Sequence, residues 1–136
     1  MKNIINIAVV GLGQVGIYLL NELNTKKKDI ELKTGKKINV VAVSARSISK
    51  KRRFKVNKKI FFKNPLKIFN KTKVDVLFEA IGMSDGISKK VVETALKNKI
   101  HVITPNKALI SKHGDYLGKL AEVYIINIKI KTFMNL

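Results

Sequence analysis

The stretch VVGLGQVG, residues 9–16, sets Gly11, Gly13 and Gly16 in the spacing G-x-G-x-x-G directly behind an apolar run. Glycines so placed can bind phosphate without any side chain. Gly11 permits a tight turn, Gly13 lets a pyrophosphate approach the main chain, and Gly16 lets a following helix pack closely on the preceding strand. The helix start then offers unpaired N–H groups and the positive end of its dipole to the anion. Ordinary turn glycines would give the same letters. The pattern gains meaning only when a buried strand precedes it and an amphipathic helix follows.

Two further groups of residues bear on the same chemistry. In a dinucleotide site, an acidic residue ending the second strand accepts hydrogen bonds from the adenosine ribose 2'-hydroxyl and favours NAD. Here the second apolar run ends Val43-Ser44-Ala45-Arg46, and no Asp or Glu follows until Asp75. Arg46, with Lys50 and Lys51 nearby, suits a 2'-phosphate, which points to NADP over NAD; a general lysine excess is the competing explanation. The other group is HVITPNKALI, residues 101–110, where Pro105 and Asn106 shape a turn and Lys107 opens a helix. A cation opposes the dipole at that position, so either the lysine excess or a ligand accounts for it. Glu79 needs a partner or a wet cleft, because it sits near the end of an apolar run. His113 reads as a packed helix residue without a paired carboxylate in sequence, and His101 carries no independent signal. No set of His, Asp and Glu has metal-ligand spacing.

The elements that would position these residues alternate. IINIAVV, residues 4–10, is β-branched and apolar on both faces, as in a strand buried inside a parallel sheet. Val15, Leu19 and Leu23 then recur at helical spacing. A polar stretch over 26–37 leads through Gly35, a helix exit, to a second strand over 38–43. The basic patch 46–59 reads as a loop, followed by a short strand KIFF, a turn at Asn64-Pro65 and a short helix near 66–70. VDVLFEAI, residues 74–81, is a strand ending at Gly82; Ile87, Val91, Ala95 and Leu96 then mark a helix with Ser84 or Asp85 as N-cap. IHVI, residues 100–103, is a further strand, and Leu109, Ile110, His113, Leu117, Leu120 and Ala121 form the stripe of a last helix. Alternation of this kind predicts an α/β fold: a doubly wound, mostly parallel sheet, Rossmann-like, in three αβα layers.

Composition sets the outer bounds. With 136 residues, 46% of them hydrophobic, and no cysteine, the chain can form one cored domain without disulfides, zinc thiolates or a cysteine nucleophile. A reducing cytoplasm is the expected location. The uncharged run 3–21 is broken by Asn3, Asn6, Gln14 and three glycines, so neither membrane insertion nor export is expected. The net charge of +19 would suit nucleic acid. Against that, lysine outnumbers arginine 25 to 3, and Ile, Lys and Asn make up 55 of 136 residues, a bias A/T-rich codons produce without any partner. The aromatics do not interleave with the lysines as base stacking requires. A solvated lysine surface is therefore expected, and no nucleic-acid partner.

Taken in order, VVGLGQVG, VVAVSAR, VDVLFEAIG and HVITPNKALISKHG resemble the nucleotide-binding half of homoserine dehydrogenase, over about residues 4–122, with Thr-Pro-Asn-Lys the most specific segment. The resemblance implies reduction of aspartate 4-semialdehyde to homoserine with NADPH or NADH, a step toward threonine and methionine, in an enzyme whose full-length form is a homo-oligomer. It implies that Gly13, Gln14 and Val15, within the turn from Gly11 to Gly16, contact the pyrophosphate, and that Arg46 and Lys50 discriminate the 2'-phosphate. It also implies that Ile81, Gly82, Thr104 and Lys107 border the nicotinamide and the small-molecule substrate, where the Lys107 ammonium would orient the reacting oxygen. Two features depart from it. Met83 stands where the family usually has a second glycine, and residues 123–136 replace the expected glycine-rich continuation with VYIINIKIKTFMNL. The expectation is a dinucleotide domain over 1–122 and an aberrant tail over 123–136, β-prone and able to add an edge strand, from a truncated or frame-shifted gene whose substrate domain is absent. Such a fragment would be inactive alone. A non-catalytic dinucleotide-sensing domain would use the same glycine turn and is the alternative.

Overall fold

The computed structural model describes residues 3–123 and 128–130. Strand β1 (Ile4–Val10) runs into helix α1 (Gln14–Thr25), and a second helix α2 (Lys27–Thr34), which buries no residue, ends at Gly35, whose φ of 72° makes the left-handed exit that glycine favours. Strand β2 (Lys37–Ser44) follows, then an irregular segment, strand β3 (Phe61–Phe62) and the one-turn helix α3 (Ile68–Lys71). Beyond these come β4 (Val76–Glu79), α4 (Ile87–Lys97), β5 (His101–Thr104), α5 (Lys107–Val123) and β6 (Ile128–Ile130). The sheet order is β3-β2-β1-β4-β5-β6, and each of its pairings is parallel. This is the doubly wound order in which the chain leaves β1 toward one edge and later returns to build toward the other.

Burial on both faces explains why the strands are continuously apolar. Ala8 and Val10 of β1, Ala42 of β2 and Leu77 of β4 pack with Ile68, Val91, Leu96, Leu109 and Leu117 on one side. Val9, Val43 and Phe78, their neighbours in sequence, pack with Ile17 and Leu20 of α1 on the other. On that second side no α-helix joins β2 to β3, only a single 3-10 turn at Lys58–Ile60. Phe54, Val56 and Ile60 from the irregular crossover cover the sheet in its place.

Four details differ from the sequence expectations. The face of α1 turned to the sheet centres on Gly16, Ile17 and Leu20, with Val15 and Leu19 at its flank, because the contact at Gly16 fixes the helix rotation. Strand β4 stops at Glu79 instead of residue 81, since the Glu79 carboxylate accepts the N–H groups of Ile81 and Gly82 and bends the chain away. The N-cap of α4 is Gly86, at φ 63°, and neither Ser84 nor Asp85: Ser84 donates to Asp85, and Asp85 is taken up by α5. Last, Val123 ends α5 instead of opening the tail; Ile128–Ile130 beyond it forms a strand beside β5 at the sheet edge, the kind of strand the β-prone tail is expected to be able to add. The rest of the tail, 124–127 and 131–136, lies outside the described residues. No helix among the described residues is long and apolar enough to cross a membrane.

Candidate functional site

At the carboxyl end of the sheet, the chain switches direction beside β1, and the turn after β1 is built around its glycines. Gly11 has φ 98°, and a β-carbon there would lie 2.5 Å from the carbonyl carbon and oxygen of Ala80. Only glycine fits. Its N–H donates to the Ser44 carbonyl at 2.9 Å, and Ala80 N–H donates to the Val10 carbonyl at 2.7 Å, so the turn is fastened to the ends of both neighbouring strands. A β-carbon on Gly16 would fall 1.9 Å from the Gly11 carbonyl oxygen, which fixes α1 tightly against the turn. Gly13 is different. It has an ordinary φ of −75°, and a β-carbon there would meet nothing within 4 Å.

Gly13 is also the N-cap of α1, and no side chain caps that helix. The amides of Gln14, Val15 and Gly16 are the helix-start donors that cannot find intrahelical partners. No acidic residue lies in the first turn to satisfy the dipole. Open space above Gly13, uncapped donors and a positive helix end together make a cradle that fits a diphosphate.

Beside the cradle runs a groove of about 610 Å³ whose walls include Gly13, Gln14, Tyr18, Lys50, Lys51 and Arg52. Lys50 thus shares a groove with the glycine turn. Arg46 is exposed just past β2 and is not among the residues lining that groove. Arg52 went unremarked in the sequence. It is half-buried, and it donates from Nε to the Leu12 carbonyl at 3.2 Å, from Nη1 to the Lys50 carbonyl at 3.2 Å and from Nη2 to the Ser47 carbonyl at 2.6 Å.

The ends of β4 and β5 meet around a buried carboxylate. Glu79 is fully buried; its Oε1 accepts from the Thr104 hydroxyl at 2.6 Å, and its Oε2 from Ile81 N–H at 2.8 Å, Gly82 N–H at 3.2 Å and Asn106 Nδ2 at 3.5 Å. Donors on both oxygens are what a buried charge requires. Thr104 in turn accepts from Asn106 N–H at 3.0 Å, so its hydroxyl is occupied on both sides and turned inward. Asn106 caps α5 by accepting from Leu109 N–H at 3.1 Å, and its amide also donates to the Met83 carbonyl at 2.7 Å. The result presents Lys107, exposed at the first position of α5, beyond a rigid turn. Gly82, at φ 90°, and Met83, half exposed, sit on the same rim.

His113 has a carboxylate partner that the sequence did not reveal. Its Nε2 lies 2.7 Å from Asp85 Oδ1, while Lys112 Nζ lies 2.5 Å from Asp85 Oδ2, tying the loop before α4 to α5. The hydrogen bond from Lys112, then that from His113, holds the Asp85 carboxyl at about 2, below its ordinary 3.8. The pair is made by residues 28 apart in two elements, beyond the reach of helical spacing. Among the described residues, no cluster of three or more His, Asp or Glu is arranged to hold a metal ion.

Comparison with known proteins converges on one family. A family model described as the NAD binding domain of homoserine dehydrogenase matches residues 11–127. Homoserine dehydrogenase of Neisseria gonorrhoeae is 32% identical over 118 residues, which cover 87% of this chain and 27% of that protein. Among solved structures, S. aureus homoserine dehydrogenase at pH 6.0 superposes with a TM-score of 0.86 at 32% identity, over 97% of this chain and 34% of that one. A hyperthermophilic archaeal homoserine dehydrogenase in complex with NADPH shares the fold, with a TM-score of 0.72 at 20% identity over 95% of this chain and 44% of that one. The chain thus spans about a quarter of the length of the curated relatives it matches.

Proposed function

Because the chain belongs to the homoserine dehydrogenase NAD-binding domain family, we propose that it is the dinucleotide-holding part of a cytoplasmic homoserine dehydrogenase. The reaction is reduction of aspartate 4-semialdehyde to homoserine, and the full-length enzyme is a homo-oligomer. The observation that carries this reading is Gly13. It opens an uncapped helix into empty space, where the protein itself has no need of a glycine and a diphosphate does.

The reduced nicotinamide, when bound, supplies the hydride. The amides of Gly13 to Gly16 hold the diphosphate. Arg46 and Lys50 meet a 2'-phosphate, which makes NADPH the preferred cofactor over NADH; from Leu32 to Val74 no carboxylate is present to accept a ribose 2'-hydroxyl. The main chain at Ile81, Gly82 and Thr104 borders the nicotinamide end. Lys107 orients the carbonyl oxygen of the substrate and stabilises the charge that develops on it. The remainder of the reacting geometry belongs to the substrate-binding part of the full-length enzyme.

Fluorescence titration with NADPH and NADH tests the proposal. NADPH should bind more tightly by about tenfold or more, the worth of one charge-assisted contact to the 2'-phosphate. Failure to bind either dinucleotide would remove the reading. Equal affinities would remove the NADP preference alone.

A further inference from the structure

Segment 45–56 carries the basic residues of the groove, yet among the described residues no backbone-to-backbone hydrogen bond holds it to any other element. Its apolar anchors are Ala45, directly after β2, and Phe54 and Val56 at its far end. Between those anchors, one side chain ties the segment to the glycine turn. The Arg52 guanidinium reaches three main-chain carbonyls: Ser47 and Lys50 within the segment, and Leu12 inside the glycine turn, 40 residues away. Arginine is suited to this role, because its planar group directs donors along several fixed directions at once, whereas a lysine ammonium is a flexible point charge.

Resting on the reading above, we propose that Arg52 is a positioning residue for cofactor selection. Three of its five N–H donors are taken by these carbonyls, and its role is to hold the segment, not to bind the 2'-phosphate. It holds residues 47–50 against the glycine turn, so that Lys50 already lines the groove beside Gly13 and Gln14 when the dinucleotide arrives. Preorganisation of this kind removes the ordering cost that a loose basic loop would meet on binding. It acts on the 2'-phosphate end and not on the diphosphate, which is held by α1 amides the segment does not supply.

The test is NADPH and NADH titration of the full chain as wild type, Arg52→Lys and Arg52→Gln, with thermal melting alongside. Both variants should lose about tenfold in NADPH affinity and less than about threefold in NADH affinity, so that selectivity collapses. Arg52→Lys should fail nearly as far as Arg52→Gln although it keeps the charge. Trypsin should also cut faster after Lys50, Lys51 and Arg53 in both variants. An Arg52→Lys protein that keeps its selectivity would mean that charge, not the three-way tie, matters, and would overturn the proposal. Equal losses for both cofactors would reduce Arg52 to a structural role and overturn it equally. A wild-type chain that binds neither dinucleotide would overturn the functional reading and this inference together, whereas the first two outcomes leave that reading standing.

Discussion

Helices α1 and α5 both begin at the carboxyl ends of strands two positions apart in the sheet, and they begin in opposite ways. At α5, Asn106 is buried, caps the helix through Leu109 N–H and braces Met83, while Thr104 and Glu79 complete a closed set of hydrogen bonds. At α1, Gly13 supplies no cap and opens onto empty space. One helix start is satisfied by the protein; the other is left for a ligand. A missing cap alone does not make the distinction, because α4 also starts at a glycine without one, and there Met83 lies 3.8 Å from where a β-carbon on Gly86 would be. The separating features at α1 are open space, a strand-turn-helix frame fastened to both neighbouring strands, and a basic groove alongside.

The largest effect should come from breaking the frame. Gly16→Ala forces a methyl into the Gly11 carbonyl oxygen, a main-chain atom with no freedom to withdraw. It should cost stability at the upper end of the about 1–3 kcal/mol typical of overpacking, read by chemical denaturation, and abolish dinucleotide binding as the turn deforms. A Gly16→Ala protein as stable as wild type would show that the close approach of α1 to the turn is not obligatory.

Removing the satisfied end comes next. Glu79→Ala leaves the buried Thr104 hydroxyl and two part-buried main-chain N–H groups without their acceptor, for a loss of about 3 kcal/mol. Glu79→Gln keeps one carbonyl oxygen but sets an NH2 group among donors, so it should fall between wild type and alanine. If Glu79→Gln were neutral in thermal melting, the charge would not be what organises these two loops.

The two helix starts can also be exchanged. Asn106→Ala should cost about 1 kcal/mol, the ordinary worth of an N-cap. Gly13→Ser should do the reverse: its extended backbone accepts serine, whose hydroxyl would cap α1 and add a few tenths of a kcal/mol. The same hydroxyl would occupy the donors meant for the diphosphate, and NADPH affinity should fall although the protein melts higher. A Gly13→Ser variant that gained stability and kept its affinity would place the ligand elsewhere.

The contrast between these ends also explains what could be read from sequence. The glycine turn, the alternation of strands and helices, and the Thr-Pro-Asn-Lys turn are local patterns, each contained within about ten residues, and their spacing carries their geometry. The links that fix the site are not local. Arg52 reaches Leu12 across 40 residues, Glu79 reaches Thr104 across 25, and Asp85 reaches His113 across 28. No periodicity encodes such pairs, because they arise where the ends of parallel strands converge. Even so, Glu79 left a trace: a carboxylate inside an apolar strand demands partners, and here their identity was what the sequence withheld. The rotation of α1 was missed for a related reason, since its apolar residues permit two adjacent stripes and only the main-chain contact at Gly16 selects one.

The smallest expected effect concerns the tie between the loop before α4 and α5. Asp85 is about half exposed, with 49% of its side-chain surface accessible, so solvent screens its pairing with Lys112 and His113. Its carboxyl is nevertheless held at about 2, against 3.8 for the free group, chiefly by the hydrogen bond from Lys112. A carboxyl with a depressed folded value stabilises the protein above its unfolded value and loses that contribution as the folded value is passed on acidification. The stability difference between wild type and Asp85→Asn should therefore be present at pH 5, shrink from about pH 4 downward, and fade out only below about pH 2. Parallel denaturation series across that window would detect it. A difference that stayed constant through the window would mean that the ionised carboxylate contributes nothing an amide cannot, and that this rim of the site is held by shape alone.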